Sequence, residues 1–279
     1  MLTLAQLTVI DATPEEAVDA AAAGGFDGLG LRVYPVPSAP GTARLVDEAE
    51  RVVALRRRAE DSGVEVLDIE ALGLAPQLDR DLLRRALDAG AGLGARFALA
   101  MVHDPDPVRA ADSLGWLADE ARPRGLRLGV EFVPFPPIQL GTSAAALDLI
   151  RAAGRSNVGL VVDTLHLQRS GGDPADLADL PPDAHAWVQL CDAPAANPPA
   201  DELPVEARTD RLIPGDGELP LRRLLEVVPP GVPLSLETPV RALAHHSPVE
   251  RARILGREVR AYLAGERWPA TQLDTAGPA

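Results

Sequence analysis

The chain has 279 residues, 46% of them hydrophobic, and a formal net charge of −14 at pH 7. This length suits one large α/β barrel, since such barrels commonly run to about 250 residues. No apolar stretch approaches the roughly 18 residues of a membrane helix. A protein that grips nucleic acid normally shows a basic face, so the acidic balance favours a small-molecule partner over nucleic acid or a membrane.

Two residue types exclude further classes. The sequence contains no lysine, so all 27 basic residues are arginines, which excludes a Schiff-base enzyme and the usual phosphate-binding loop. Cys191 is the single cysteine, so no internal disulfide can form. Together with an N-terminus that lacks a basic leader, this predicts a cytoplasmic protein without a signal peptide.

Short apolar runs alternate with longer amphipathic stretches, a pattern typical of βαβ units. The predicted strands are Leu4–Ile10, Asp27–Arg32, Glu65–Glu70, Arg96–Met101, Arg127–Val133, Val158–Asp163, Ala186–Leu190 and Pro233–Glu237. The predicted helices between them include Thr13–Ala23, Ala43–Ser62, Asp79–Ala89, Pro107–Ala121 and Ser143–Ala153.

Eight strands with intervening helices predict a closed (β/α)8 TIM barrel in the α/β class. A doubly wound sheet would need a glycine-rich phosphate loop near its first turn, and residues 11–16 contain no glycine. We expect one domain over residues 1–265 and a poorly ordered tail over 266–279. Residues 191–218 form a long proline-containing connection after the seventh strand, which we expect to lack regular structure and to lie on the active face.

Polar residues interrupt the last four predicted strands: Glu131, Asp163, Gln189 and Glu237. The carboxyl ends of barrel strands meet at one mouth, so these side chains should converge. Three carboxylates in a partly dry site repel each other unless a cation neutralises them. An all-oxygen ligand set predicts one divalent metal ion, Mn²⁺ or Mg²⁺ with Co²⁺ as an alternative. Taken singly, a strand-terminal Asp could equally cap a helix and a buried Gln could bond backbone groups.

The segments GVEF, VVDTLH, WVQLCDAP, RLIPGDGELPL and LSLETP resemble the sugar phosphate isomerase/epimerase family, the xylose isomerase-like TIM barrels. The resemblance covers nearly the whole chain. It implies one metal ion bound by Glu131, Asp163, Gln189 and Glu237. Gln189 departs from the histidine that many members have there, and some 3-dehydroshikimate dehydratases resemble this chain in using glutamine.

The same resemblance implies that His166 contacts substrate; the alternative is a bond that orients Asp163. Arg208 matches the family's substrate-contacting arginine better than Arg211, for which a solvated loop charge is an equal alternative. Three further strand-tip residues are candidate pocket residues, each against a structural ion pair or cap: Arg32, Glu70 and His103.

The leading hypothesis is a metal-dependent isomerase or epimerase of a small sugar or related polyhydroxy carbonyl compound. By resemblance, Glu131 and Glu237 act as the acid/base pair through a metal-stabilised enediolate. One alternative is a lyase of 3-dehydroshikimate dehydratase type, and another is a non-catalytic sugar-binding barrel. The sequence leaves substrate identity open, and the oligomeric state open between monomer and homodimer.

Overall fold

A computed structural model describes residues 1–36 and 41–266. Eight parallel strands follow one another in chain order and close on themselves, so the predicted TIM barrel is confirmed. The strands are β1 Leu2–Leu4, β2 Gly28–Arg32, β3 Glu65–Leu74, β4 Phe97–Val102, β5 Arg127–Glu131, β6 Val158–Asp163, β7 His185–Leu190 and β8 Leu234–Leu236. The helices are α1 Pro14–Ala23, α2 Ala49–Asp61, α3 Arg80–Leu93, α4 Pro107–Ala121, α5 Ser143–Ala153, α6 Thr164–Arg169, α7 Leu203–Thr209, α8 Leu221–Val227 and α9 Pro248–Leu263.

The predicted strand Leu4–Ile10 is wrong. β1 ends at Leu4, and Gln6–Val9 form a 3₁₀ turn. The turn is stable inside the protein because neighbouring strands satisfy its polar groups. Thr8 Oγ1 donates to the carbonyl of Leu236 at 2.9 Å, and the side chain of Gln6 accepts from the backbone N–H of Arg32.

Several other bounds differ from the sequence-based prediction. β3 runs on to Leu74, so Glu70 lies inside the strand and not at its tip. The helix predicted from Ala43 begins at Ala49, after a 3₁₀ turn over Leu45–Asp47. The connection 191–218 contains α7, although it was expected to lack regular structure. Its Pro204 lies in the first turn of α7, where the missing N–H of proline has no cost.

The helix ends follow the signals in the sequence. Thr13 and Glu16 form a capping box at the start of α1, and Thr142 caps α5. Gly94 and Gly154 end α3 and α5 in the left-handed conformation, which a residue with a Cβ adopts only at a cost.

A small apolar cluster fills the barrel interior beneath its mouth. Its buried members are Leu67, Phe97, Leu99, Val161, Ala186 and Trp187. The rings of Phe97 and Trp187 lie 5.3 Å apart. A Cβ at Gly129 would overlap the Trp187 ring, so glycine there leaves the room that the indole fills. The cluster closes the barrel, and any site must lie above it.

Across the described ranges, no helix is both long and apolar enough to cross a bilayer. The expected tail lies, from residue 267 onward, outside the described residues, and its disorder stays a prediction.

Candidate metal centre

The four predicted metal ligands lie at the carboxyl ends of adjacent strands. Glu131 ends β5, Asp163 ends β6, Gln189 lies one residue before the end of β7, and Glu237 directly follows β8. All four are buried. Asp163 and Gln189 stand side by side in the register of β6 and β7. The convergence expected at the barrel mouth is therefore present.

His166 belongs to the same cluster. Ligand atoms of Glu131, Asp163 and His166 lie within 4.8 Å of one another, and His166 Nε2 is 3.7 Å from Glu131 Oε1. The alternative proposed for His166, a bond to Asp163, is made by its backbone and not by its ring, since the His166 N–H donates to Asp163 Oδ1 at 3.0 Å. Asp163 thus caps α6 as well as facing the site. The two interpretations of a strand-terminal Asp are compatible.

Arg211 is the residue whose place the sequence left undecided. Its guanidinium is buried: Nη1 lies 2.5 Å from Asp163 Oδ2, and Nη2 lies 3.0 Å from Glu237 Oε2. Nε donates to the Ala207 carbonyl at 2.7 Å. Arg211 is therefore a fixed cation of the site and not a solvated loop charge.

Arg211 reaches the site because the connection 191–218 folds back on the barrel. Asp192 accepts from the N–H groups of Ala193, Gly215 and Leu219 at 2.9 to 3.0 Å. Its own backbone forms an antiparallel bridge with Leu212, the neighbour of Arg211. No local periodicity signals such a fold, so sequence reasoning could not place Arg211.

A second ion pair holds the connection near α7. Arg169, at the end of α6, lies 2.6 and 2.8 Å from the two oxygens of Glu206, and it also donates to the Pro194 carbonyl at 2.9 Å. Arg169 thus attaches the long connection to the turn that follows His166.

Burial and charge set the protonation of the cluster. Burial by itself would raise the pKa of Asp163, but Arg211 and His166 outweigh it and hold that pKa at about 2. Burial raises the pKa of Glu237 to about 8. Burial, with the charges of Glu237 and Asp163, raises the pKa of Glu131 well above its ordinary value. Burial lowers the pKa of His166 to about 4, so its ring is neutral at pH 7.

The residues present fit a divalent cation. Gln189 Nε2 donates to Glu237 Oε1 at 3.1 Å, whereas Gln189 Oε1 is buried and has no hydrogen-bond partner in the described part of the chain. Ionised Glu131, Asp163 and Glu237 carry three negative charges, and Arg211 compensates one. Two remain, which a divalent ion neutralises. The oxygen ligands and neutral imidazole suit hard or borderline metals.

The candidate substrate-binding residues lie at different depths in the protein. Arg32 and Glu70 are buried inside the barrel, with Arg32 Nε 3.5 Å from Glu70 Oε2. His103 is half-buried next to Gly73. The Arg208 side chain lies exposed on α7 and makes no hydrogen bond or ion pair with the residues described here. The structure therefore brings Arg32 and Glu70 to the barrel interior but leaves Arg208 at the surface.

Asp68 is a buried carboxyl group that the sequence analysis did not identify as a candidate site residue. Asp68 interrupts the apolar strand β3 and is 2% exposed. The signal was the one used for Glu131, a carboxylate inside an apolar run, and it was available in the segment VLDIE.

Comparison with known proteins identifies the class. The sequence model of the xylose isomerase-like TIM barrel family matches residues 18–262, so the chain belongs to that family. Among curated relatives, the 3-dehydroshikimate dehydratase of Pseudomonas aeruginosa is 34% identical over 244 residues, which cover 82% of this chain and 36% of that protein. The chain thus spans about a third of the length of that relative.

Two further matches concern an isomerase sequence and a solved barrel structure. The inosose isomerase of Halalkalibacterium halodurans is 28% identical over 114 residues, 40% of this chain and 38% of that protein. The crystal structure of IolI with a bound zinc atom superposes with a TM-score of 0.79 at 17% identity, covering 95% of this chain and 98% of that chain. At that identity the likeness shows the fold alone. The named sequence relatives are enzymes, one a dehydratase and one an isomerase.

Proposed function

We propose that this chain is a divalent-metal-dependent isomerase or epimerase of a small polyhydroxylated carbonyl compound. The observation that carries the proposal is the convergence of Glu131, Asp163, Gln189 and Glu237. Their three carboxyl groups share one buried cation, Arg211, and the Gln189 oxygen has no hydrogen-bond partner among the described residues. Mn²⁺ and Mg²⁺ are the proposed ions, with Co²⁺ as an alternative. Bound there, the ion would act as a Lewis acid on a substrate carbonyl.

The protein's own groups would handle the proton. Glu131 and Glu237 enter the site from β5 and β8, on either side of Asp163 and Gln189. One carboxylate would take the proton from the carbon beside the carbonyl, and the other would return a proton to the neighbouring carbon or to the opposite face. Burial of both carboxyl groups keeps bulk water away from that exchange.

Arg211 would hold the carboxylate oxygens of the protein, and His166 would hold a substrate oxygen. Arg211 fixes the carboxylates of Asp163 and Glu237 in place, which positions them without any rearrangement during the reaction. The His166 ring is neutral, and its buried Nδ1 has no partner within the described ranges. That nitrogen can bond a substrate hydroxyl.

A second candidate is a lyase of the 3-dehydroshikimate dehydratase type. It is favoured by Gln189 and by the 34% identity to the Pseudomonas aeruginosa dehydratase. The first step would be the same proton removal, after which a hydroxyl group at the β position leaves as water. The two reactions therefore differ in the fate of the substrate and not in the base.

Solvent exchange tests the shared step, and products separate the candidates. The Mn²⁺-loaded protein would be incubated in D₂O with scyllo-inosose, D-fructose or 3-dehydroshikimate and followed by NMR. We expect deuterium beside the carbonyl of a neutral ketone and conversion to an isomer. An aromatic product from 3-dehydroshikimate would instead establish the lyase. Binding without exchange would indicate a non-catalytic sugar-binding barrel.

Glu237→Gln should abolish the exchange while the protein stays folded. Glu226 is exposed on α8 and pairs with Arg222 at the surface, so Glu226→Gln is the matched control and should exchange at the wild-type rate. Wild-type exchange in Glu237→Gln would contradict the assigned base.

A further inference from the structure

A second polar cluster lies inside the barrel on β2 and β3, across from the strands that carry the metal ligands. It consists of Arg32, Asp68 and Glu70, all buried. A Cβ at Gly30 would lie 2.8 Å from Asp68 Oδ1 and 2.7 Å from Glu70 Oε1. The glycine thus leaves the room that the two carboxyl groups occupy. Beyond the effect of burial, the charge of Glu237 raises the pKa of Asp68, and the charge of Glu70 raises the pKa of Glu237, so the cluster lies near the metal centre.

The hydrogen-bonding capacity of this cluster is unmet. Arg32 Nη1 is buried without a partner among residues 1–36 and 41–266, and Arg32 Nε reaches Glu70 only at 3.5 Å. The side chain of Asp68 makes no hydrogen bond or ion pair with any of those residues. Native proteins keep few buried polar groups unpaired because each is costly. A guanidinium nitrogen and a carboxyl group that find no partner among the described residues, buried next to Glu70, indicate a position prepared for a ligand.

The chemistry of the three side chains selects the ligand. A metal ion would face the positive charge of Arg32, and a carboxylate would face Asp68 and Glu70. A hydroxyl group suits both kinds of partner, since it accepts from a guanidinium and donates to a carboxylate. Burial raises the pKa of Asp68 well above its ordinary value, so its carboxyl group can donate as well as accept.

We infer that Arg32, Asp68 and Glu70 form a hydroxyl-binding subsite for the end of the substrate that lies away from the metal ligands. The substrate is then a neutral polyhydroxylated ketone or aldehyde and not a hydroxy acid. This inference rests on the proposed function and narrows it, because it places the isomerase or epimerase ahead of a lyase whose substrate carries a carboxylate.

Binding of unreactive probes tests the subsite without requiring turnover. Isothermal titration calorimetry of the Mn²⁺-loaded protein would compare myo-inositol and D-sorbitol, which are neutral polyols, with shikimate, which carries a carboxylate. We expect at least one polyol to bind more tightly than shikimate. Tighter binding of shikimate, or no binding of either polyol, would overturn the inference.

Substitutions then locate the bound polyol. Arg32→Met and Asp68→Leu should each weaken polyol binding at least tenfold. Arg44 and Asp148 form exposed ion pairs, so Arg44→Met and Asp148→Leu are matched controls and should leave the dissociation constant unchanged. An unchanged polyol dissociation constant in Arg32→Met and Asp68→Leu would overturn the inference.

Thermal stability separates binding from structure. Because the Asp68 side chain has no partner among the described residues, Asp68→Leu should not lower Tm and is expected to raise it by about 2–4 °C. If that variant fails to fold, Asp68→Asn serves in its place, and a fall in Tm with unchanged polyol binding would show a structural role. Polyol binding at this subsite without deuterium exchange would support the subsite and contradict only the proposed function.

Discussion

Arg211 and Asp163 form an ion pair that is sealed from solvent: Nη1 lies 2.5 Å from Oδ2, and neither side chain is more than 1% exposed. The same guanidinium contacts Glu237. Arg211 comes from the connection that follows β7, so this pair shows that the long connection lines the metal centre. It also explains how three carboxylates can be buried together, since one of their charges is already compensated.

Arg211→Met should destabilise the metal-free protein. Removing one partner of a buried ion pair costs about 3–5 kcal/mol, because an uncompensated charge stays behind. Mn²⁺ should restore part of the loss, since it neutralises the same carboxylates. The measurement is Tm in EDTA and in Mn²⁺. Arg208→Met, three residues away and exposed, is the stability control and should change the free energy of unfolding by less than about 0.5 kcal/mol. Equal destabilisation with and without metal would contradict this account.

Asp192→Ala should loosen the connection that carries Arg211. The substitution leaves the N–H groups of Ala193, Gly215 and Leu219 without their acceptor, at a cost of about 1–3 kcal/mol. Hydrogen exchange of the amides in residues 191–218 should become faster, and turnover should fall with it. Asp201→Ala, an exposed change in the same connection, should leave both unaltered. Unchanged protection in Asp192→Ala would disprove the anchoring role.

His185 should make the protein sensitive to acid. Burial lowers the pKa of His185 below its usual 6.5, and neither ring nitrogen has a hydrogen-bond partner in the described chain. The unfolded state therefore binds the proton more readily, so the contribution of His185 to stability is present above pH 6.5 and is lost as pH falls below it. Between about pH 7 and pH 5, Tm should fall less in His185→Leu than in the wild type. Parallel curves would refute the prediction.

Gln189 should supply an oxygen to the metal ion. Gln189→Leu removes that oxygen at nearly constant volume, and we expect Mn²⁺ affinity to fall at least tenfold in calorimetric titration. Gln189→His restores a ligand and should recover binding, with a shift of preference toward Zn²⁺, because imidazole is the softer donor. Equal Mn²⁺ affinity in Gln189→Leu and the wild type would mean that the side chain only orients Glu237.

The sequence predicted the barrel and the meeting of four polar strand-end residues because both depend on local patterns. Alternation of apolar runs and amphipathic stretches predicts βαβ units, and parallel strands must bring residues such as Glu131 and Asp163 to one mouth. Residues 6–9 were misassigned for the same reason. Their alternating pattern resembles a strand, but Thr8 and Gln6 bond to adjacent strands and stabilise a turn.

The remaining features depend on contacts between distant parts of the chain. The burial of Arg211 follows from the bridge between Asp192 and Leu212, which no periodicity signals. The pairing of Arg32 with Glu70 joins residues on different strands. Only the three-dimensional structure shows that Arg32 Nη1 has no hydrogen-bond partner among the described residues. Asp68 differs from these residues, because a carboxylate within an apolar strand was enough to predict a candidate site residue from the sequence.

The most direct test of the metal centre is a crystal structure of the Mn²⁺-loaded protein with anomalous diffraction at the manganese edge. The account predicts one anomalous peak per chain, in contact with the side-chain oxygens of Glu131, Asp163, Gln189 and Glu237. A fully loaded crystal with no peak among these four side chains, or with its peak elsewhere in the chain, would contradict it.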